Sequence, residues 1–125
     1  MYSMREENYF LRIGKKNLQE VAASFVIGVL HLIRIGAFPP VVGIWTMSTR
    51  GFWSPLVDNK ILSDELIDVL RNCDELSALQ KLNPDHFESE ITKLIERIEK
   101  DVQYRNPHWD MDWVINDELD EQELK

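Results

Sequence analysis

The chain has 125 residues, of which 44% are hydrophobic and 29% are charged. These proportions exclude an intrinsically disordered protein, and the length suits one globular domain with its own core. With 22 acidic and 14 basic residues the formal net charge is −8, so we do not expect direct nucleic-acid binding, which needs clustered Lys and Arg.

Cysteine content and the distribution of apolar residues bear on where the protein resides. Cys73 is the only cysteine, so an intramolecular disulfide is impossible and a reducing compartment is expected. Glu6 and Glu7 precede any apolar run, which is unlike a secretory signal. Segment 21–38 is the most apolar, but Arg34 within it and the proline pair after it favour a buried helix over a membrane span. We therefore expect a cytoplasmic protein without a membrane segment.

The first predicted elements are two helices. A capping-box spacing from Ser3 predicts a short helix that ends at about Ile13. A second helix is expected to begin after Asn17 as its cap and to end at Gly36. Because apolar residues surround nearly the whole circumference of this second helix, we expect it to be the central, buried one.

Segment 37–55 is irregular in composition, since it contains three prolines, two glycines and two tryptophans. Within it, Val41–Met47 is either a short helix opened by the proline pair or an extended segment, and we favour the helix. Ser48–Lys60 is interpreted as an ordered loop whose apolar side chains fold back onto the core.

Three helices are predicted in the second half of the chain. Ser63 caps the first, Asp74 is a candidate cap for a short second one, and Asn83-Pro84 opens the third. The apolar stripe of the third helix consists of Phe87, Ile91, Leu94, Ile95, Ile98 and Val102. Its carboxylates are interpreted as a solvated face. The helix is expected to end at Asn106-Pro107, because the residue before proline is pushed away from helical geometry.

These elements predict an all-α fold, a single-domain bundle of about five to six helices with an irregular Pro/Gly/Trp segment. Residues 1–116 are assigned to the helical domain and 117–125 to an acidic C-terminal tail. The tail assignment rests on five acids and only two apolar side chains in those nine residues. Negative charge increases along the chain, with +3 in residues 1–60, −5 in 61–109 and −6 in 110–125.

Candidate catalytic groups do not form a recognisable constellation. The three histidines are far apart in sequence, and none has a metal-ligand spacing with Cys73. His108 alternates with Asp110 and Asp112, but the segment lacks the glycine and the closing glutamate of a calcium loop. We interpret His31 as a core or helix-end histidine and Cys73 as a buried thiol. The sequence thus predicts that the chain is not an enzyme and binds no cofactor and no metal.

The segment WDMDW combines two indoles and two carboxylates directly before the acidic end of the chain. Tryptophan is enriched in interface hot spots, and carboxylates complement Lys and Arg on a partner. The predicted partner-binding residues are Trp109, Asp110, Asp112, Trp113, Asp117 and Glu118. The alternative is that both tryptophans close the core while the acids face water. Trp45–Trp53 is a second candidate surface, although its apolar neighbours favour a role in plugging the core.

In a short acidic chain, the segments GAFPPVVGIWTMSTRGFWSPL, ELIDVLRNCDELSAL and WDMDW resemble the small acidic α-helical immunity proteins of bacterial contact-dependent growth inhibition and other polymorphic toxin systems. The resemblance is one of class, so no functional residue is transferred by position. It implies an antitoxin that binds a cognate toxin domain and covers its active site with an acidic surface. A basic nuclease is the favoured target, with a pore-forming toxin left open. The alternative is a non-enzymatic adaptor or a subunit of a larger assembly, and the oligomeric state stays open.

Overall fold

The computed structural model describes residues 10–48, 50–105 and 114–116, and the structural statements below concern these residues. They contain six α-helices, α1 (Leu18–Arg34), α2 (Pro40–Ser48), α3 (Arg50–Asp58), α4 (Asp64–Cys73), α5 (Leu76–Leu82) and α6 (Pro84–Arg105). A short 3-10 helix covers Lys15–Asn17, and two three-residue strands are β1 (Phe10–Arg12) and β2 (Val114–Asn116). The predicted all-α fold is confirmed.

The chain divides into two compact units, residues 1–17 together with 109–125, and residues 18–108. In the first unit, β1 and β2 pair antiparallel with Leu11 opposite Ile115. The second unit contains the six helices. The predicted boundary between a domain of residues 1–116 and a tail of residues 117–125 stays a prediction, since the tail lies outside the described residues.

The pairing of β1 with β2 corrects the prediction of a helix from Ser3 to about Ile13. Residues 1–9 lie outside the described residues, but Phe10–Arg12 is extended and not helical. A capping-box spacing is a local signal, whereas the partner of β1 lies about a hundred residues away in the sequence. Long-range strand pairing therefore overrides the local helical signal here.

Helix α1 begins and ends where the sequence predicts. Its C-terminus is closed by Gly36, whose φ of +78° lies in the left-handed region that favours glycine. The N–H groups of Gly36 and Ala37 donate to the carbonyls of Ile33 and Leu32, so the last turn has its acceptors satisfied. Within the described residues, no helix combines the length and apolar character that crossing a bilayer requires.

The expectation that α1 is buried on every side is wrong. Val26 and Leu30 are fully buried, but Phe25 is 41% exposed, Leu32 39% and Ile35 59%. Apolar residues around the whole circumference show that a helix is hydrophobic, but they do not show how many sides its neighbours cover. One face of α1 is therefore apolar and in contact with solvent.

The Pro/Gly/Trp segment is more helical than expected. Helix α2 confirms the favoured interpretation of Val41–Met47, but the predicted loop Ser48–Lys60 is wrong because α3 covers most of it. Pro55 lies inside α3, where it cannot donate a backbone hydrogen bond, and this made a helix hard to expect. The helix ends shortly afterwards, where the Asn59 side chain donates to the Pro55 carbonyl at 2.6 Å.

A glycine allows α2 to approach α1 closely. A Cβ atom at Gly43 would lie 2.6 Å from Cδ1 of Ile33, closer than real Cβ atoms approach, and 3.1 Å from a methyl carbon of Val29, which is an unusually tight contact. Substitution at this position would therefore push the two helices apart, at the expense of the packing around Ile44, which is buried.

The second half follows the predicted pattern of helix starts, with one correction. Ser63 caps α4, since the Leu66 N–H donates to its Oγ at 3.1 Å. Asn83 caps α6 in the same way, accepting from the His86 N–H at 3.3 Å. Asp74 is not the cap of α5; it ends α4, and Glu75, which has helical geometry and makes no capping bond, precedes α5. Asp74 and Glu75, which link α4 to α5, both have helical geometry. A capping side chain needs an extended residue from which it can accept a hydrogen bond from the first turn of the next helix.

The apolar stripe of α6 lies in the core as predicted. Its buried members are Phe87, Ile91, Leu94, Ile95 and Ile98, and half-buried Val102 packs against them. They join buried residues of α1 and α4 such as Leu30 and Leu66. Each such side chain contributes about 1.5–3 kcal/mol by leaving water, so this stripe holds α6 in place.

Candidate interaction surface

The predicted partner-binding residues are not placed by the structure. Trp109, Asp110, Asp112, Trp113, Asp117 and Glu118 lie outside the described residues, so their role stays a prediction. The second candidate segment ends at Trp53, which is buried and packs edge-on against Phe25 with ring centroids 5.8 Å apart. For Trp53 the interpretation as part of the core is confirmed.

Cys73 and His31, the two side chains weighed as possible catalytic groups, have ordinary structural environments. Cys73 is buried, and burial, followed by the charge of Asp74, raises the pKa of its thiol to about 12. The thiol is therefore protonated at neutral pH, as expected of a plain buried cysteine. His31 is exposed in the last turn of α1, with its Nδ1 2.8 Å from a guanidinium nitrogen of Arg34, so it is a helix-end histidine. Among the described residues, no three His, Cys, Asp or Glu side chains are grouped to hold a metal ion.

A polar network joins α1, α4 and α6. The Ser63 N–H donates to Oε1 of buried Gln19 at 2.5 Å, and Ser63 Oγ donates to Oδ2 of Asp101 at 2.9 Å. One capping residue therefore connects α4 to both other helices. The Nε2 atom of Gln19 is buried and has no hydrogen-bond partner among the described residues.

Arg105 anchors the end of α6 through two carboxylates. Its guanidinium donates to both carboxylate oxygens of Glu20, and its Nε donates to Asp101 at 3.2 Å. Burial acts to lower the pKa of Arg105, but the hydrogen bond and charge of Glu20 and then the charge of Asp101 outweigh it, so the pKa is raised. The side chain of Glu20 is only 6% exposed. This cluster is a structural clamp, since one guanidinium binds the carboxylates of both Glu20 on α1 and Asp101 on α6.

A second arginine of α6 faces α4. Arg97 donates from Nε to Glu65 at 2.6 Å and from a terminal nitrogen to Asp68 at 2.7 Å. Its hydrogen bonds with Glu65 and then Asp68 raise the pKa of the guanidinium. On this edge of α6, both arginines therefore form ion pairs inside the molecule.

The opposite edge of α6 carries exposed carboxylates. Asp85, Glu88, Glu96 and Glu99 share one face of the helix, at spacings of three, eight and three residues, and all four are exposed. We call these four residues the acidic row. It extends over about 21 Å at 1.5 Å per residue. None of the four forms an ion pair with a cation in the described part of the chain.

One cation adjoins the acidic row from α1. Arg34 donates to the Thr92 hydroxyl at 3.4 Å, and this hydroxyl donates to the Glu88 carbonyl at 3.1 Å. Thr92 lies four residues after Glu88 and four before Glu96, so the Arg34 guanidinium adjoins the row although its hydrogen bond goes to a neutral hydroxyl. The row is therefore a place where a positively charged protein can form new ion pairs.

The sequence contained the signal for this row. Their helical spacing places Arg97 on the other edge, whereas Lys93 and Lys100 lie three residues before and four residues after Glu96. No family model, curated protein or solved structure shows a significant similarity to this chain. The argument for function therefore depends on the residues alone.

Proposed function

We propose that this chain is an immunity-type protein, which binds a positively charged bacterial toxin domain and inhibits it by covering its active site. The observation that carries the proposal is the acidic row, four exposed carboxylates along one edge of α6 with no ion-pair partner in the described residues. Exposed carboxylates that form no ion pair within the described part of the fold are available to a partner.

The charge of the whole chain supports the same interpretation. The net charge is −8, and the sequence places −6 of it in residues 110–125. Oppositely charged proteins associate faster because their fields steer the encounter, which suits an inhibitor that must act before a toxin does damage. The predicted contact residues between Trp109 and Glu118 would extend the same negative character.

A nuclease is the toxin class that this surface fits best. A domain that holds nucleic-acid phosphates presents Lys and Arg at its active site. Carboxylates on a rigid helix can occupy these cationic positions and exclude the substrate. The proposal requires no catalytic group on this chain, only a surface of fixed negative charge.

Co-expression with a neighbouring gene tests the proposal. The larger open reading frame beside this gene would be expressed alone and together with this chain, with bacterial growth as the readout. We expect growth arrest from the neighbour alone, recovery when this chain is present, and copurification of the two proteins. A neighbour whose toxicity persists, and which forms no complex with the purified chain, would overturn the proposal. A stable complex without any effect on growth would favour the adaptor alternative.

A further inference from the structure

His31 and Arg34 form a polar contact in the last turn of α1, next to the acidic row. The Nδ1 atom of His31 lies 2.8 Å from Nη2 of Arg34, and Nη1 of Arg34 donates to the Thr92 hydroxyl of α6 at 3.4 Å. His31 is exposed, whereas Arg34 and Thr92 are half-buried. One guanidinium therefore connects the end of α1 to the middle of α6, and one side of this connection is a histidine in contact with water.

The contact between these two side chains requires one protonation state of His31. A guanidinium has only N–H donors, so the imidazole nitrogen beside it must accept the hydrogen bond. Nδ1 can accept only when the ring is neutral and carries its proton on Nε2. A protonated ring has a donor on each nitrogen and a positive charge, so it would face Arg34 donor to donor and cation to cation. Protonation of the ring therefore breaks the contact.

The packing of α1 on α6 brings the carboxylates of the acidic row close to this contact. The two helices run antiparallel, since the start of α1 binds the end of α6 and the end of α1 binds Thr92. His31 precedes Arg34 by about one turn, so it lies level with the turn of α6 that contains Glu96. Glu88 lies one turn to the other side of Thr92, whose hydroxyl donates to its carbonyl at 3.1 Å. The two carboxylates thus flank the hydroxyl that Arg34 contacts.

The other surroundings of the ring can accept a positive charge. Helix α2, which also packs on α1, has no ionisable side chain, and α3 reaches α1 at Phe25, about two turns before His31. On the adjoining edge of α6, the ionisable groups are the four carboxylates of the acidic row, and Lys93 beside Thr92 is the nearest cation in the sequence. The last turn of a helix also favours positive charge. Arg34 is therefore the main group that opposes protonation of His31.

We propose that His31 and Arg34 form a pH-sensitive latch on the acidic row. When His31 is neutral, its ring and the Thr92 hydroxyl hold the Arg34 guanidinium. When a proton from solvent occupies Nδ1, Arg34 leaves the ring and pairs with the carboxylate of Glu88, while the imidazolium lies level with Glu96. Histidine takes up its proton as the pH falls from about 8 to about 5, so the row loses net negative charge over this range.

The latch would regulate the surface to which we assign partner binding. In the protonated state two of the four carboxylates gain a cation from the chain itself, which makes them less available to a positively charged protein. This consequence rests on the proposed function, whereas the latch is a property of the isolated chain. Between about pH 8 and about pH 6, the complex with the proposed toxin partner should weaken at least about threefold more for the wild type than for His31→Gln.

Carboxyl ¹³C NMR on the full-length chain tests the latch without any partner. Glutamate side chains are largely ionised throughout about pH 6–8, so a carboxyl signal that shifts in this range reports the arrival of a cation. We expect the carboxyl signals of Glu88 and Glu96 to shift with the same midpoint as the ring signals of His31. Glu75, which is exposed between α4 and α5, is the control and should show no shift with that midpoint.

Two substitutions separate the parts of the latch. His31→Gln keeps an uncharged acceptor beside Arg34 and removes the titrating ring, so both carboxyl shifts should disappear. Arg34→Gln keeps the ring but removes the guanidinium, so the Glu88 shift should disappear and the Glu96 shift should stay.

Three results would count against the latch or its role. Wild-type carboxyl signals that do not follow the ring, or a Glu88 shift that persists in either variant, would overturn the latch. A complex that responds to pH equally in the wild type and in His31→Gln would overturn its regulatory role. If the carboxyl shifts appear as expected but no toxin partner binds, the failure concerns the immunity function alone.

Discussion

The two edges of α6 carry similar side chains but differ in what surrounds them. On one edge, Arg97 and Arg105 each bind two carboxylates from the same fold, and Glu20 is almost removed from water in the process. On the other edge, the acidic row keeps its four charges in solvent. The comparison shows that one helix carries both charges that hold the bundle together and charges that form no ion pair in the described fold. Substitutions on the first edge should change stability, and those on the second should change binding.

The largest effect is expected at Arg105. Arg105→Ala leaves the carboxylate of Glu20, which is 6% exposed, without its partner. We expect the free energy of unfolding to fall by about 3 kcal/mol, the lower end of what removing one member of a buried pair costs. Urea denaturation measures this. Arg71→Ala removes an exposed arginine of α4 and should change stability by less than about 0.5 kcal/mol. Equal losses in the two variants would show that Arg105 is not a clamp.

The buried thiol of Cys73 should make the stability of the fold depend on pH in the alkaline range. Its pKa is raised from 9.0 to about 12, chiefly by burial, so above pH 9 the unfolded chain loses a proton that the folded chain retains. Stability should therefore fall with rising pH between 9 and 12, by about 1.4 kcal/mol per pH unit from this group.

Cys73→Ala is the control for this pH dependence, because it removes the thiol and leaves the other titrating groups in place. Urea denaturation at a series of alkaline pH values should give a shallower decline for the variant than for the wild type. The same slope in both proteins would mean that Cys73 titrates as an exposed thiol.

The acidic row should affect binding more than folding. Glu96→Lys/Glu99→Lys is expected to weaken the complex with the toxin domain about tenfold, or about 1.4 kcal/mol, while the free energy of unfolding changes by less than about 0.5 kcal/mol. Calorimetry measures the affinity. Asp74→Lys/Glu75→Lys makes the same change in net charge at exposed positions between α4 and α5. If both double variants bind equally weakly, overall charge matters and the row is not the contact.

The smallest effect is expected at Arg97. Its side chain is 32% exposed and its partners Glu65 and Asp68 are 42% and 55% exposed, so water screens both ion pairs. Arg97→Ala should lower the free energy of unfolding by about 0.5–1 kcal/mol, and by less at high salt. Lys93→Ala, at an exposed position of the same helix, is the control and should have no measurable effect. If Arg97→Ala lowers the free energy of unfolding as much as Arg105→Ala does, exposed and buried ion pairs contribute equally to stability and this account is wrong.

Local signals predicted several helix ends and the buried face of α6 well. The caps Ser63 and Asn83, the glycine that ends α1 and the apolar stripe of α6 all depend on residues within a few positions of one another. Such patterns can be recognised without knowing the rest of the structure. The helical fold follows from them.

The features that sequence could not predict depend on distant parts of the chain. The pairing of β1 with β2 needs a partner from the other end of the sequence, and α3 tolerates Pro55 within a helix. Which face of α1 stays exposed is likewise decided by the number of helices that pack on it. In the sequence, each carboxylate of the acidic row looks like ordinary solvated surface. The row differs from the other edge of α6 only because Arg97 pairs with carboxylates there.

The dependence of affinity on salt tests the central claim most directly, namely that this chain acts by presenting unpaired carboxylates to a positively charged protein. Calorimetric titration of the wild-type chain with the proposed toxin partner would be repeated at increasing sodium chloride concentrations. We predict that the affinity falls steadily as salt rises, because exposed ion pairs formed on binding are screened. An affinity that is unchanged or increases with salt would contradict the claim, since it would show that apolar contacts and not charges hold the complex together.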